Sequence, residues 1–294
     1  MSFNNSLLKK PSKDLPQLNN VLCIHHNDLD GRCAAAVIKK ATGYGIRFHE
    51  TTYGDPLPEM GAEENIVIVD FSYPPDMMKE LIARNIPVLW FDHHATAKDY
   101  PYQHLKGLRD FEDKSRSGCE IAWDYFFAYK GRVPDVVRYI GDYDKWKLQY
   151  QPASFQYYEG LKLIPESQDP DDMYWQTLLN HNKNTSEILK QGEIAIRYRD
   201  MYCNDLCRSF GYETRLDGFD AYACNQYMFG SKGFGNRFDE YPICIAYIHN
   251  GEKFTVSLYS KDVHVGQIAK RYGGGGHKGA AGFTCQVLPF IRMT

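Results

Sequence analysis

Acids and imidazoles recur where apolar runs end. Asp92, His93 and His94 follow Pro87-Val88-Leu89-Trp90-Phe91, Asp70 closes Asn65-Ile66-Val67-Ile68-Val69, and His26, Asp28 and Asp30 alternate beyond Val21–Ile24. Asp142 and Asp144 form a fourth acidic segment. Each has a plain explanation by itself: Asp28 or Asp30 suits a helix N-cap, Asp70 a turn, and Asp92-His93-His94 a hydrogen-bonding cluster. Together they imply more. Carboxylates gathered at one sheet edge repel one another unless cations lie between them. Oxygen ligands with a few imidazoles suit manganese or magnesium rather than zinc. A carboxylate shared by two ions about 3.5–4 Å apart makes a two-metal centre, which activates water and neutralises charge on a phosphoryl group.

The second chemical signal is Gly273-Gly274-Gly275-Gly276-His277-Lys278-Gly279-Ala280-Ala281-Gly282-Phe283. Its bland reading is a flexible loop between a helix and a strand. Glycines also let a ligand approach backbone amides, and consecutive amides can form an anion nest. His277 and Lys278 add donors and positive charge.

The elements that must carry these residues alternate. Asn20–His26 reads as a strand, Arg32–Thr42 as an Ala-rich helix closed by Gly43, and Ile46–Thr52 as a strand. Asn65–Asp70 is the β-branched run of a strand buried on both faces. Pro74-Pro75 opens a helix over Asp76–Arg84, and Ile86–Phe91 is the next strand. Such alternation argues for a parallel sheet, and ligands of open α/β sheets collect beyond the strands' carboxyl ends. If extended geometry continues past the first strand, His26, Asp28 and Asp30 share one side, with His25 facing the other way. Ser117–Tyr129 and Pro134–Gly141 read as helices, the second running into Asp142-Tyr143-Asp144. Tyr150 to about Arg208 is polar and helical. Beyond it, Asp220–Cys224, Pro242–Ile248, Lys253–Tyr259 and Ala281–Val287 read as strands and Val265–Arg271 as a helix. The expected fold is α/β: a parallel-sheet N-terminal domain over 1–150, a helical connector over 151–208, and a smaller α/β domain with a mixed sheet over 209–294.

Composition narrows the partners. The chain has 294 residues, 43% hydrophobic, with a net charge of −3, which argues against a long duplex-binding surface. Aromatic residues make up 14%, enough for core packing with a few rings left to stack on bases. No apolar run approaches a membrane span, and Met1–Asn20, a partly mobile lead-in, lacks the apolar stretch of a secretory signal. The eight scattered cysteines form no CxxC pair, as expected of reduced thiols in a cytoplasmic protein. Cys203 and Cys207 share a helix face, without a second pair to complete a zinc site.

In this order, His26-Asn27-Asp28-Leu29-Asp30-Gly31, Asp70, Asp92-His93-His94, Asp142 and the glycine run resemble the DHH phosphoesterase superfamily, the glycine run being similar to the signature of its DHH-associated C-terminal domain, subtype 1. The resemblance covers Val21 to about Tyr150 and Phe210–Val287. It implies two divalent ions, manganese first and magnesium as the alternative. His26, Asp28 and Asp70 would hold one; Asp30, Asp70, His93 and Asp142 would hold the other. It assigns the catalytic centre to Asp92, His93 and His94, and substrate contacts to His94, Gly275, Gly276, His277 and Lys278, with Arg116 a further phosphate-binding candidate. Many members place the first histidine four residues before the first Asp, where this chain has Ile24; His26 lies two before. Asp144 competes with Asp142 for the last ligand position, and His25 ranks second to His26.

The resemblance implies a manganese-dependent phosphoesterase acting on short oligonucleotides, dinucleotides or pAp, without a membrane or long duplex partner and with homodimerisation open. A RecJ-like single-strand exonuclease is the alternative within the family. An inorganic pyrophosphatase or polyphosphatase and a non-catalytic nucleotide sensor are the others.

Overall fold

The structure is a computed structural model and describes residues 18–43, 45–112, 115–128, 131–181 and 184–293. Most of the expected lead-in and Tyr129 lie outside the described residues. The chain divides into two compact units, Met1–Glu193 and Ile194–Thr294.

The first unit is built on four parallel strands: β1 (Val21–His26), β2 (Ile46–Thr51), β3 (Asn65–Val69) and β4 (Val88–Phe91), in the order β2-β1-β3-β4. The helices between and after them are α1 (Leu29–Thr42), α2 (Pro75–Ala83), α3 (Gly118–Phe127), α4 (Asp135–Asp144), α5 (Ala153–Leu161) and α6 (Met173–His181). Period two sorts the strand residues onto two cores. Val21, Cys23, Val67, Val69, Leu89 and Phe91 pack with α1, α3 and α4, while Leu22, Ile24, Ile66, Ile68, Val88 and Trp90 face Met78 and Leu81 of α2. Helices on both faces explain why β3 and β4 are apolar almost throughout, whereas the edge strand β2 carries Arg47, His49 and Glu50. Each apolar side chain contributes about 1.5–3 kcal/mol on burial. Tyr157, Leu161, Trp175, Leu178 and Leu179 of α5 and α6 belong to the first of these cores.

The second unit carries a mixed sheet in the order β5-β6-β7-β8-β10-β9. Its strands are β5 (Tyr212–Leu216), β6 (Phe219–Asn225), β7 (Ile243–His249), β8 (Phe254–Tyr259), β9 (Gly275–Gly276) and β10 (Ala280–Cys285). Its helices are the C-terminal part of α7 (Thr185–Phe210), the single turn α8 (Arg237–Glu240) and α9 (Val265–Arg271). Ala221, Ala223, Ile243 and Ile245 face α9, and Tyr222, Cys224, Cys244 and Ala246 face Cys207 of α7. All eight cysteines are free and seven are buried. β5 is absent from the sequence reading. Its charged residues Glu213 and Arg215 point outward at a sheet edge, and it reaches β6 through Asp217 and Gly218, both at positive φ (56° and 87°). Among the described residues, no helix is long and apolar enough to cross a membrane.

Candidate metal centre

Asp28 sits between β1 and α1 in extended backbone and caps the helix: its Oδ1 accepts from the Gly31 amide at 2.9 Å. Its other oxygen lies 2.9 Å from His26 Nδ1. The cap and the site are therefore one carboxylate, and α1 begins earlier than its Ala-rich pattern suggests. Asp30, in the first helical turn, is buried against the start of α3. It accepts from Ser117 Oγ at 2.9 Å, the Gly118 amide at 2.6 Å and the Cys119 amide at 3.1 Å. A helix N-terminus offers free amides and a positive dipole end, which suits a buried anion.

Asp70 follows β3 with φ of 55°, a left-handed conformation that Asp tolerates better than most residues. The turn brings it beside Gly118, where an added Cβ would fall 2.4 Å from its own Cβ. The carboxyl is 1% exposed, and neither oxygen has a hydrogen-bond partner. Burial, and then the charges of Asp30, Asp28, Asp144 and Asp92, push it well above the usual carboxylate range.

Asp92, after β4, is fully engaged. Its Oδ1 accepts from the amides of His93 and His94 at 2.7 and 3.1 Å and faces His94 Nδ1 at 2.7 Å; Oδ2 accepts from Ser72 Oγ. Burial opposes ionisation there, but the His94 and Ser72 contacts outweigh it and hold Asp92 below the usual range. Asp92 thus shapes the loop and aims His94. Burial likewise works to lower His94, and the Asp92 hydrogen bond and charge reverse the effect and raise it. His93 Nε2 lies 3.0 Å from Asp70 Oδ1, 3.4 Å from Asp144 Oδ2 and 3.9 Å from Asp30 Oδ2, without a hydrogen bond. Burial lowers its pKa.

The sequence favours Asp142 as the last acid; the structure brings Asp144 into the cluster. Residues two apart on a helix point about 200° apart, so α4 can aim only one of them inward. Asp142 turns to the chain after α4, accepting from the Gln149 amide at 2.9 Å, the Tyr150 amide at 3.2 Å and Ser154 Oγ at 2.5 Å. Asp144 keeps a buried oxygen with no hydrogen-bond partner, and burial and then Asp30 and Asp28 raise its pKa. His25 faces away: it is 1% exposed, with Nδ1 2.8 Å from its neighbour's carbonyl.

Among the described residues, three groups could hold an ion: His26-Asp28-Asp70, Asp30-His93-Asp144 and Asp70-His93-His94, each with its atoms within 4.8 Å of one another. The donor set fits hard divalent ions. The oxygens without partners are where repulsion is greatest, and the imidazoles complete each group without thiolates. Beside them lies an aromatic shelf. His26 stacks on Phe71 at 6.0 Å, and the half-exposed Tyr53 ring lies 6.0 Å from His26 and 6.3 Å from His94.

Arg116 is held by Asp110 at 2.6 Å and Asp124 at 3.4 Å, so its charge is already matched. The glycine run belongs to the second unit. Gly275 and Gly276 pair with Gly282 and Ala281, and the His277 amide donates to the Ala280 carbonyl at 2.8 Å, leaving His277, Lys278 and Gly279 exposed at the tip. Close approach to β10 requires the glycines: a Cβ on Gly274 would fall 2.0 Å from the Gly282 carbonyl oxygen. Ser72, Ser117 and Gly118 escaped sequence reasoning. The capping pair Ser117 and Glu120 was the available signal for the last two.

Residues 234–289 match the model of the DHHA1 domain. The fold is shared with a manganese-bound RecJ exonuclease, 15% identical with a TM-score of 0.52 over 91% of this chain and 86% of that one. This chain carries a DHHA1 domain and has the fold of DHH-domain proteins. The DHH fold is shared as well with a pGpG-specific phosphodiesterase of Vibrio cholerae, 13% identical with a TM-score of 0.54 over 92% of this chain and 94% of that one. A curated relative of this chain is an uncharacterised protein of Acanthamoeba polyphaga mimivirus, 26% identical over 245 residues. The match takes in 78% of this chain and 56% of the viral protein's length.

Proposed function

We propose that this protein is a member of the DHH phosphoesterase superfamily, a divalent-metal phosphoesterase that hydrolyses short nucleotide substrates. The observation that carries the reading is Asp70: a buried carboxyl with both oxygens unpartnered, set among Asp28, Asp30, His93 and Asp144. Such an arrangement is unfavourable in an empty protein and favourable around cations. His26, Asp28 and Asp70 would hold one ion; Asp30, His93 and Asp144, with Asp70 shared, would hold a second. Manganese suits the mixed oxygen and imidazole set, and the solved RecJ relative carries that metal. Two such ions supply Lewis acidity toward a phosphoryl group and acidify an attacking water.

The chain's own residues do the rest. Asp92 holds the His94 ring by Nδ1 and favours its charged form, giving an imidazolium donor for a phosphate oxygen. The start of α3 fixes Asp30 through Ser117, Gly118 and Cys119. Tyr53 offers a ring face on which a base can stack. The net charge of −3 favours short over long strands, and the pGpG phosphodiesterase shows that the fold can act on dinucleotides. Free, buried cysteines suit a reducing compartment, and we place the protein in the cytoplasm.

The test is manganese-supported digestion of end-labelled RNA and DNA of two to about twenty nucleotides, with pAp and cyclic dinucleotides alongside. The expected result is preferential cleavage of the shortest oligomers or pAp. Full turnover by a folded Asp70→Ala variant would overturn the assignment.

A further inference from the structure

Asp30 and Asp144 come from different helices, and an ion pair ties the helices of this corner together. Glu120 stands at the third position of α3 and completes a capping box: its Oε2 accepts from the Ser117 amide at 2.9 Å. The same oxygen accepts from the Lys145 ammonium, and Lys145 follows Asp144 directly at the end of α4. That ammonium also donates to the Ser115 carbonyl at 3.4 Å. The Lys145 side chain is 7% exposed and that of Glu120 20%, so the pair is largely withdrawn from water. α4 comes this close because Gly141 has no side chain. A Cβ there would fall 2.7 Å from Glu120 Cδ and 2.8 Å from Ser117 Oγ. Ser117 Oγ in turn donates to Asp30 Oδ1 at 2.9 Å. A line of contacts therefore runs from Lys145 through Glu120 and Ser117 to Asp30, with Asp144 next to its first member in the chain.

We propose that the Glu120–Lys145 pair is a positioning device for one of the two ions: it fixes the spacing of Asp30 and Asp144, and with it the affinity of the group Asp30-His93-Asp144. An ion held by carboxylates from separate helices gains its full attraction only if those helices keep their distance, and residues that orient ligands commonly govern metal affinity by about 10–100-fold. Glu120 and Lys145 act through others. Neither belongs to a group that could hold an ion, and each spends its charge on the other. The group His26-Asp28-Asp70 is carried instead by β1, the start of α1 and the end of β3. A pair that only braced the fold would leave both ions alike; this one bears on the ion of α4. The inference rests on the two-ion reading above and is independent of the substrate.

The experiment is manganese titration of the full chain by calorimetry, with the melting temperature of each variant taken in EDTA. Wild type is expected to bind two ions. Glu120→Gln keeps the size and the capping box and removes the charge. It and Lys145→Met are each expected to weaken one ion about ten-fold or more and leave the other within about two-fold. Asp144→Asn identifies the weakened ion as the one of the group Asp30-His93-Asp144. Lys145→Arg, which keeps the charge, is expected to restore most of the affinity. The double variant Glu120→Gln with Lys145→Met leaves no charge unpaired, so it is expected to regain the melting temperature lost by either single variant while its second ion stays weak. It also keeps the test open if a single variant fails to fold. Unchanged affinity for both ions, equal weakening of both, or recovery of affinity together with melting temperature in the double variant would each overturn the proposal. A wild type that binds fewer than two ions would overturn it too. Two ions bound, with the selective loss, by a protein that cleaves nothing would sink the phosphoesterase reading and leave the role of the pair intact.

Discussion

Replacing Asp70 by Asn makes opposite demands on the empty and the metal-loaded protein. The empty site holds a buried carboxyl with no hydrogen-bond partner, raised by burial and by four neighbouring acids. An unsatisfied buried polar group costs about 1–3 kcal/mol. Asn removes the charge, keeps the size, supplies a donor toward the remaining carboxylates, and tolerates the left-handed φ of 55° as well as Asp does. Asp70→Asn is therefore expected to stabilise the metal-free protein by about 1–3 kcal/mol. In the unit Met1–Glu193 this raises the melting temperature by about 2–12 °C. Metal reverses the order. An ion at a hundred times its Kd stabilises wild type by about 2.7 kcal/mol, and the variant forgoes most of that. The assay is thermal unfolding by circular dichroism, in EDTA and in manganese chloride. A variant less stable than wild type in EDTA, together with a wild type indifferent to manganese, would refute the argument from electrostatics.

Three further outcomes follow from the geometry. Asp144→Asn is expected to weaken manganese binding at least ten-fold, measured by calorimetry, with little loss of stability, whereas Asp142→Asn is expected to cost about 1–3 kcal/mol in urea unfolding and leave metal affinity near wild type. Gly118→Ala places a Cβ 2.4 Å from that of Asp70; overpacking of this kind costs about 1–3 kcal/mol, and the displaced carboxylate should lower metal affinity in the same titration. Asp110 meets a burial penalty, but Arg116 and Ser115 outweigh it and hold the carboxyl below its usual range. Its contribution to stability is present above about pH 4 and is lost as the pH falls through its lowered folded value. Urea unfolding of Asp110→Asn should lie roughly 1 kcal/mol below wild type at pH 7, with the gap closing in acid.

Asp28, Asp30, Asp70 and the Asp92 loop were legible because the strands announce themselves. Asn65–Val69 is β-branched and apolar from end to end, so the residue that follows has to lie at the sheet's carboxyl edge. Asp142 and Asp144 were not separable in sequence, since both end one helix and only packing decides which side turns inward. The role of Asp92 was hidden for a related reason. Whether a carboxylate serves an ion or its neighbours' amides depends on loop geometry that spacing does not reveal. The dual use of Asp28 shows that cap and site are not competing explanations. β5 escaped because alternating charge on an edge strand looks like a loop, although the Asp217-Gly218 turn marked it.

The parallel order β2-β1-β3-β4 has a kinetic consequence. Every pairing in that sheet joins segments distant in the chain, and the acids beyond the strand ends come from points as far apart as His26 and Asp144. His26-Asp28-Asp70 and Asp70-His93-His94 need β1, β3 and β4 side by side, and Asp30-His93-Asp144 needs α4 as well. Loop closure of this kind sets the folding speed by itself. Ions held at the finished edge would therefore lengthen the lifetime of the folded unit by slowing its unfolding and leave its folding rate to the strand topology.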